Sequence, residues 1–455
     1  MTEVRLGDIV ELQRGNKYQG ALLGQPGPVL LGLASIARNG GFRSDNLKTY
    51  GGTSDPRMLL SPGDLYVSLK DVTQSADLLG AVARVPPFIK LGRLTQDTVK
   101  LSFKTSSIPP DYIYWLLRTP QYREYCRAHS TGTTNLGLPR EDFLSFPIPE
   151  LTHDNRAIFS LLSALDAKIE LNRRMNETLE AMAQAIFRDW FVDFGPTRRK
   201  LALFAGATTA SRKRAGITDP VQIMGGLIQS PARAAKLAAL FPDAMGDNGL
   251  PEGWEECAAE DLIDFNPSEA LRKGTVSPYA DMSSLPTTGS TAEAPIQREF
   301  GSGMKFKNGD ALIARITPCL ENGKAAFVDF LPNSTTVGWG STEFIVLRSR
   351  PPVPPPFAYL LVRHPEFKTR AVQSMTGTSG RQRAQAETLK AFQLTRATAK
   401  LFAEFGRLAV PMFAKITGNA SESQTLAATR DLLLPKLMSG EIRLSDAEAM
   451  AEAAQ

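Results

Sequence analysis

Cysteine and histidine are the residues this chain has least of: its 455 residues hold three of each. Cys126, Cys257 and Cys319 lie far apart in sequence, which excludes a disulfide framework and the ligand spacing of a structural zinc site. His129, His153 and His364 show no metal spacing either, so a histidine-based active site is not expected. No apolar run approaches the length of a membrane span, and the opening MTEVRLGDIVELQRG lacks a signal-peptide pattern. A cytoplasmic protein with no membrane partner is therefore expected. There is no G-x-x-x-x-G-K-[ST] loop to cradle nucleotide phosphates, and no glycine-rich strand-to-helix cofactor loop. An amino-methyltransferase needs a polar residue before Pro-Pro-aromatic, because that side-chain oxygen holds the target amine. The nearest matches, Val85-Pro86-Pro87-Phe88 and Pro354-Pro355-Pro356-Phe357, lack the oxygen. The chain reads as non-catalytic, with no metal and no cofactor of its own.

What is present is a long heptad seam. Stepping by four and three from Ile158 gives Leu162, Leu165, Ile169, Asn172, Asn176, Leu179, Ala183, Ile186 and Trp190. Apolar residues flank a polar centre, as in a coiled-coil helix. Asp154 is placed to cap its start, and Gly195-Pro196 to stop it. Such a helix is ~55 Å long, more than most globular domains are wide.

The seam recurs about 247 residues later as Phe405, Ala409, Met412, Ile416, Asn419, Ser423, Leu426, Arg430, Leu433 and Leu437. One arginine intrudes, and Pro411 and Gly418 predict a kink or a late start in this copy. The match extends upstream. Tyr112-Ile113-Tyr114-Trp115-Leu116-Leu117-Arg118-Thr119-Pro120 aligns with Phe357-Ala358-Tyr359-Leu360-Leu361-Val362-Arg363-His364-Pro365, and Thr131-Gly132-Thr133 with Thr376-Gly377-Thr378. Gly63-Asp64 aligns with Gly309-Asp310, each before an apolar run. Constant order at a near-constant offset marks a tandem duplication.

The expected class is α+β. Two tandem β-rich domains, 1–152 and 250–394, are separated by two long helices, 153–194 and 395–442, which pair antiparallel as a coiled coil with pseudo-two-fold symmetry. Residues 195–249 read as a linker and 443–455 as a frayed tail. Short apolar runs broken by Pro62-Gly63 and Pro86-Pro87 make the strands of the first domain. One helix, 111–128, interrupts them, and its Tyr114, Trp115 and Tyr122 read as core in preference to base-stacking residues. In the linker, Arg198-Arg199-Lys200 and Arg212-Lys213-Arg214 read as a solvated, flexible face.

A net charge of +5 permits a polyanionic partner. Two similar domains held by long helices fit a bipartite reader of double-stranded DNA, with half-sites about one helical turn, ~34 Å, apart and weak individual contacts strengthened by tethering. Small glycine-bearing loops let backbone amides and hydroxyls approach phosphates and base edges closely. The candidate contacts are Thr131, Gly132, Thr133, Thr134 and Asn135 in the first domain. In the second they are Lys305, Lys307, Arg315, Thr376, Gly377, Thr378, Arg381 and Arg383. Leu165, Ile169, Asn172, Asn176, Leu179, Met412, Ile416, Asn419, Ser423 and Leu426 form the central helix seam, with the polar positions fixing register.

The chain resembles, over nearly its whole length, the specificity (S) subunits of type I restriction–modification enzymes. The resemblance is carried by Phe146-Pro147-Ile148-Pro149, by LDAKIELNRRMNETL from Leu165 to Leu179, by Leu250-Pro251-Glu252-Gly253-Trp254, and by Leu434-Pro435-Lys436-Leu437-Met438-Ser439-Gly440-Glu441. The first domain lacks the Leu-Pro-x-Gly-Trp opening. The resemblance implies that each β-rich domain is a target-recognition domain reading half of a split DNA sequence. It also implies that the helices set the spacer and dock two adenine methyltransferase (M) subunits, and that restriction (R) subunits join the complex. S-adenosylmethionine, ATP and Mg would be held by those partners. Two other readings stand beside it: a structural adaptor with degenerate domains, and a fused modification enzyme, which the missing motifs disfavour.

Overall fold

A computed structural model describes residues 4–44, 47–72, 75–106, 108–133, 135–150, 153–204, 219–378, 380–439 and 441–454. They form two compact units. One comprises Met1–Ile169 with Glu422–Gln455, the other Glu170–Ser421.

The first unit is built on a four-stranded antiparallel sheet in the order Val10–Arg14, Thr98–Phe103, Leu65–Ser68, Val82–Arg84. Leu65-Tyr66-Val67-Ser68 is buried throughout because both faces of the sheet are covered. Leu65, Val67 and Val82 point to a cluster with the helices, while Tyr66, Ala81 and Ala83 point to a second cluster. A doubly covered strand reads as a continuous apolar run. The second cluster is closed by a small sheet in which Val29–Leu31 runs parallel, and Leu59–Leu60 antiparallel, to Gly92–Leu94.

The second unit repeats this plan. Its main sheet runs Ile263–Phe265, Phe344–Ser349, Ala311–Ala314, Ala325–Phe327. Its small sheet again has a parallel pair, Val276–Ala280 with Gly338–Gly340, and Met304–Phe306 antiparallel to the latter. The turn before each central strand is tied alike. Asp64 accepts from the Ser61 amide and pairs with Lys100 at 2.5 Å. Asp310 accepts from the Lys307 amide and from both arms of Arg348 at 2.6 and 2.7 Å. The mixed α+β class with two β-rich domains is thus as expected.

The single helix expected over 111–128 is two, Pro110–Leu116 and Pro120–Ala128. Pro120 has no N–H to continue the first, and the Thr119 hydroxyl accepts from the Tyr122 amide to start the second. Trp115 and Tyr122 are fully buried, at 0% exposure each.

The long helices span His153–Phe191 and Ala399–Ser439. The second runs unbroken through Pro411 and Gly418, so the late start does not occur. Pro411 is exposed, where water can satisfy the carbonyl it leaves free, and the burial of Phe405, Ala409, Phe413 and Ile416 along one stripe outweighs local propensity. In the first unit, Ile158, Leu162 and Leu165 pack with Leu426, Leu433 and Leu437, and Arg430 pairs with Asp166. The intruding arginine of the seam is thereby neutralised. In the second unit, Phe191 stacks on Phe402 at 5.3 Å and Phe187 meets Phe405 at 6.5 Å, an antiparallel register. Leu179 and Met412 are half-buried there. Each buried aromatic stabilises by ~1.5–3 kcal/mol, against ~0–1 for an exposed ion pair. The apolar stripe therefore holds the helices.

At the polar centre, within the second unit, Asn419 is fully buried and donates to Asn176 Oδ1 at 2.8 Å. Asn172 donates to the Asn419 carbonyl at 3.4 Å and Asn176 to the Ile416 carbonyl at 3.2 Å. Ile169 and Ser423 are half-buried and lie in the first unit.

Two expectations are corrected. Of the expected linker 195–249, the described residues 195–204 and 219–249 are not a solvated connector, because they fold into the second unit with helices Gly195–Phe204, Pro220–Ile223 and Pro231–Ala238. Phe241 packs on Trp190 and Trp254, Arg199 grips Asp189 with both arms, and Lys200 is buried on Asp243 and the Phe241 carbonyl. Apolar residues spaced through a glycine- and alanine-rich segment supplied enough burial to order it. Arg212-Lys213-Arg214 lies outside the described residues. The tail is not frayed either: Leu444–Glu452 is a helix whose Ala447 and Ala451 seat on the first unit's core. Small side chains one turn apart allow that close approach.

A partly buried carboxyl reports on the second unit. Burial pushes Asp329 up to about 6, against a hydrogen bond from Thr417 of the second long helix. Its folded value is above its unfolded one, so its stabilising contribution is complete below about pH 4 and lost as pH rises through about 6. Asp329→Asn, which keeps an acceptor for Thr417, is expected to raise Tm at pH 8 and to give a shrinking gain toward pH 4, measured by thermal melting.

Candidate nucleic-acid interface

The glycine-bearing loops are equivalent hairpins. In the first unit, Thr131 and Gly137 exchange both backbone hydrogen bonds at 2.8 Å. In the second, Thr376 and Arg383 do the same at 3.1 and 2.9 Å. Gly132 has φ +96°, and a Cβ there would lie 2.4 Å from the Asn135 carbonyl. Gly377 has φ +127°. Only glycine takes these positions without strain, which is why Thr-Gly-Thr is found in both. Thr131, Gly132, Thr133, Asn135, Thr376, Gly377, Thr378 and Arg381 are all exposed; Thr134 lies outside the described residues. Each hairpin hangs on the chain leaving the central strand. Lys70–Asp71 pairs with Leu136–Gly137, and Ile316 bridges Arg383.

A carboxylate sits under each hairpin. Asp97 pairs with Lys70 at 3.2 Å. Glu343 accepts from Arg383 at 2.7–2.9 Å and lies 3.9 Å from Arg315. Hydrogen bonds from Arg383, and then the nearby charge of Arg315, hold the Glu343 carboxyl below its usual range. Lys307 pairs with Glu269 at 2.6 Å. Lys305 donates to the Glu269 carbonyl at 2.7 Å and lies over the Phe300 ring. Of the cations singled out from sequence, Lys307, Arg315 and Arg383 are therefore committed to carboxylates within the unit. Arg381 faces solvent and forms no ion pair among the described residues.

Beside the first unit's hairpin lies a cleft of about 360 Å³, lined by Leu12, Arg14, Lys70, Gln96, Thr131 and Arg140. Arg14, Lys70 and Arg140 are exposed, and Arg14 donates to the Gln96 carbonyl at 3.1 Å. Sequence reasoning missed all three. The duplication offers one signal, since Asp97 and Glu343 stand at the offset that relates Asp64 to Asp310. Arg14 and Arg140 are isolated in sequence and converge only through the fold. Chemically, the site offers hydroxyls, backbone amides at a glycine turn and exposed cations, the groups that meet phosphates and base edges. Burial pushes the Cys126 and Cys257 thiols up, away from reactive thiolate.

No protein-family model matches the chain. The chain is 26% identical over 364 residues to the type I restriction enzyme HindI specificity subunit of Haemophilus influenzae, covering 73% of this chain and 77% of that one. It is 23% identical over 357 residues to the MjaIX specificity subunit of Methanocaldococcus jannaschii, with 74% and 70% covered. The EcoAI specificity subunit of Escherichia coli is 32% identical over 147 residues, 30% of this chain and 23% of that one. A solved type I restriction–modification S subunit from M. genitalium aligns with a TM-score of 0.49 at 14% identity, covering 96% and 95%. The resemblance to specificity subunits drawn from sequence is borne out by these relatives.

The ion pairs separate two neighbouring arginines. Arg383→Ala frees Glu343 and one hairpin base, and is expected to lower Tm, whereas Arg381→Ala is expected to leave Tm unchanged. Calorimetry on both variants checks this.

Proposed function

We propose that this chain is the DNA sequence-specificity subunit of a type I restriction–modification complex, and the rest of its chemistry follows from that role. Each β-rich unit reads one half of a bipartite duplex site. The chain itself is non-catalytic. Two methyltransferase subunits carry S-adenosylmethionine and transfer methyl groups to the exocyclic amine of adenine, after drawing the base from the stack. Restriction subunits bring ATP and Mg. The two long helices serve as the docking surface for the methyltransferase subunits and as the spacer between half-sites.

The observation that carries this reading is duplication at two levels. Two units share one sheet order, one lock at the central strand and one glycine hairpin. They differ in the exposed cations beside the hairpin: Arg14, Lys70 and Arg140 in one, Arg381 in the other. A shared scaffold with divergent exposed side chains suits two half-sites of different sequence. An adaptor would have no use for the exposed cations at both hairpins.

The assembled complex, chain plus methyltransferase subunits, should bind duplex DNA with an affinity that falls steeply with salt. Arg381→Ala is expected to weaken binding evenly across sequences and to reduce the log–log salt slope by about 1, as loss of one phosphate contact does. Fluorescence anisotropy over a salt series measures both. Binding that is indifferent to salt, with no preference among duplexes, would favour the adaptor.

A further inference from the structure

The small sheet of the second unit has one face on the core, through Ala280 and Phe306. On its other face Trp339 is buried at 5% exposure, Tyr279 is half-buried and Arg298 is exposed. Pairing of Ser277 with Arg298, of Tyr279 with Ile296 and Trp339, and of Lys305 with Trp339 places Arg298, Tyr279, Trp339 and Lys305 together on it. Tyr279 and Trp339 form a platform with ring centroids 4.4 Å apart. The Arg298 guanidinium lies over it, 4.8 Å from the Tyr279 centroid and 5.7 Å from that of Trp339. The Trp339 indole N–H donates to the Arg298 carbonyl at 3.3 Å, which pins the strand to the platform. A cleft of about 370 Å³ opens here, with the hydroxyl-bearing Ser302, Ser341 and Thr342 on its walls. Thr342 precedes Glu343, so this cleft adjoins the loop beneath the hairpin.

Arg298 is exposed and forms no ion pair among the described residues. Glu299 also lines the cleft, but strand alternation turns it to the opposite face, opposite Val276. Arg298 thus differs from Lys307, Arg348 and Arg383, whose donors are taken up by Glu269, Asp310 and Glu343. Stacking holds a guanidinium by its face and leaves its in-plane N–H fork free. A free N–H fork can make two parallel hydrogen bonds to guanine O6 and N7, and holding the guanidinium over the rings beforehand lowers the ordering cost of making them. The first unit shows what a structural arginine looks like in the same sheet. Arg93, at the position equivalent to Trp339, is 1% exposed, and Asn16, Ser54 and the carbonyls of Lys17 and Leu94 take up its donors.

We propose that Arg298 is a specificity-determining residue that reads a guanine in the half-site taken by the second unit. The proposal rests on the DNA-specificity reading above. The test uses the full chain assembled with its methyltransferase subunits, with bound duplexes selected from a randomised library and sequenced, for wild type, Arg298→Ala and Arg298→Lys. The expected result is a split motif for wild type and, in both variants, a roughly 5- to 150-fold loss of preference for one guanine. The other half-site and the spacing should stay unchanged, as should Tm. The lysine variant keeps the charge and can keep a cation–π contact but loses the planar fork, so it must relax the same position. Uniform weakening with a shallower salt slope would make Arg298 a phosphate contact and overturn the proposal. So would loss of co-purifying methyltransferase with base preference intact, which would make this face a protein-docking surface, or no change in either variant. No sequence preference in the wild-type complex would overturn the function reading and this proposal together.

Discussion

A central strand buried on both faces is the constraint from which each unit follows. Leu65–Ser68 and Ala311–Ala314 cannot leave either face to water, so helices must cover one side and a second sheet the other. The chain leaving that strand is thereby fixed, and the glycine hairpin pairs with it. The aspartate at the strand's start, gripped by Lys100 in one unit and Arg348 in the other, ties the strand to its neighbour. With the scaffold settled by burial, the loop side chains that make no ion pair among the described residues, such as Arg381, are left to vary without cost to the fold.

Ion pairs near the hairpins divide into two kinds. Glu343 and Glu269 consume cations that sequence alone marks as ligand contacts, and in doing so they shape the loops. Arg381 and Arg298 retain their donors. The difference lies in neighbours supplied by distant parts of the chain: Glu343 lies 40 residues from Arg383, and Trp339 lies 41 from Arg298. Selectivity in this protein would therefore depend less on how many arginines it has than on which are left unpaired.

The long helices, the duplication and the Thr-Gly-Thr turns were legible in sequence because each rests on a local rule: heptad spacing, constant offset, and a backbone angle only glycine takes. The antiparallel pairing of Phe187 with Phe405 and Phe191 with Phe402 follows from the same stripe. The folded stretch 195–204 and 219–249 was not legible, because its order comes from Trp190, Phe241 and Trp254 meeting across the unit. The tail misled for a similar reason, alanines being neutral in composition and useful only against a particular surface. Pro411 misled because propensity is local while the stripe it interrupts is not. The cleft with Arg14 and Arg140 needed the fold to bring its residues together.

In the function proposed for it, this chain selects a split DNA site for methylation by its partners. Mapping 6-methyladenine through the genome with and without this gene tests it most directly. The expected result is a bipartite methylated motif that vanishes on deletion and returns, in both halves and with the same spacing, when the chain is restored. A bipartite motif that persists unchanged in the deletion strain would contradict it.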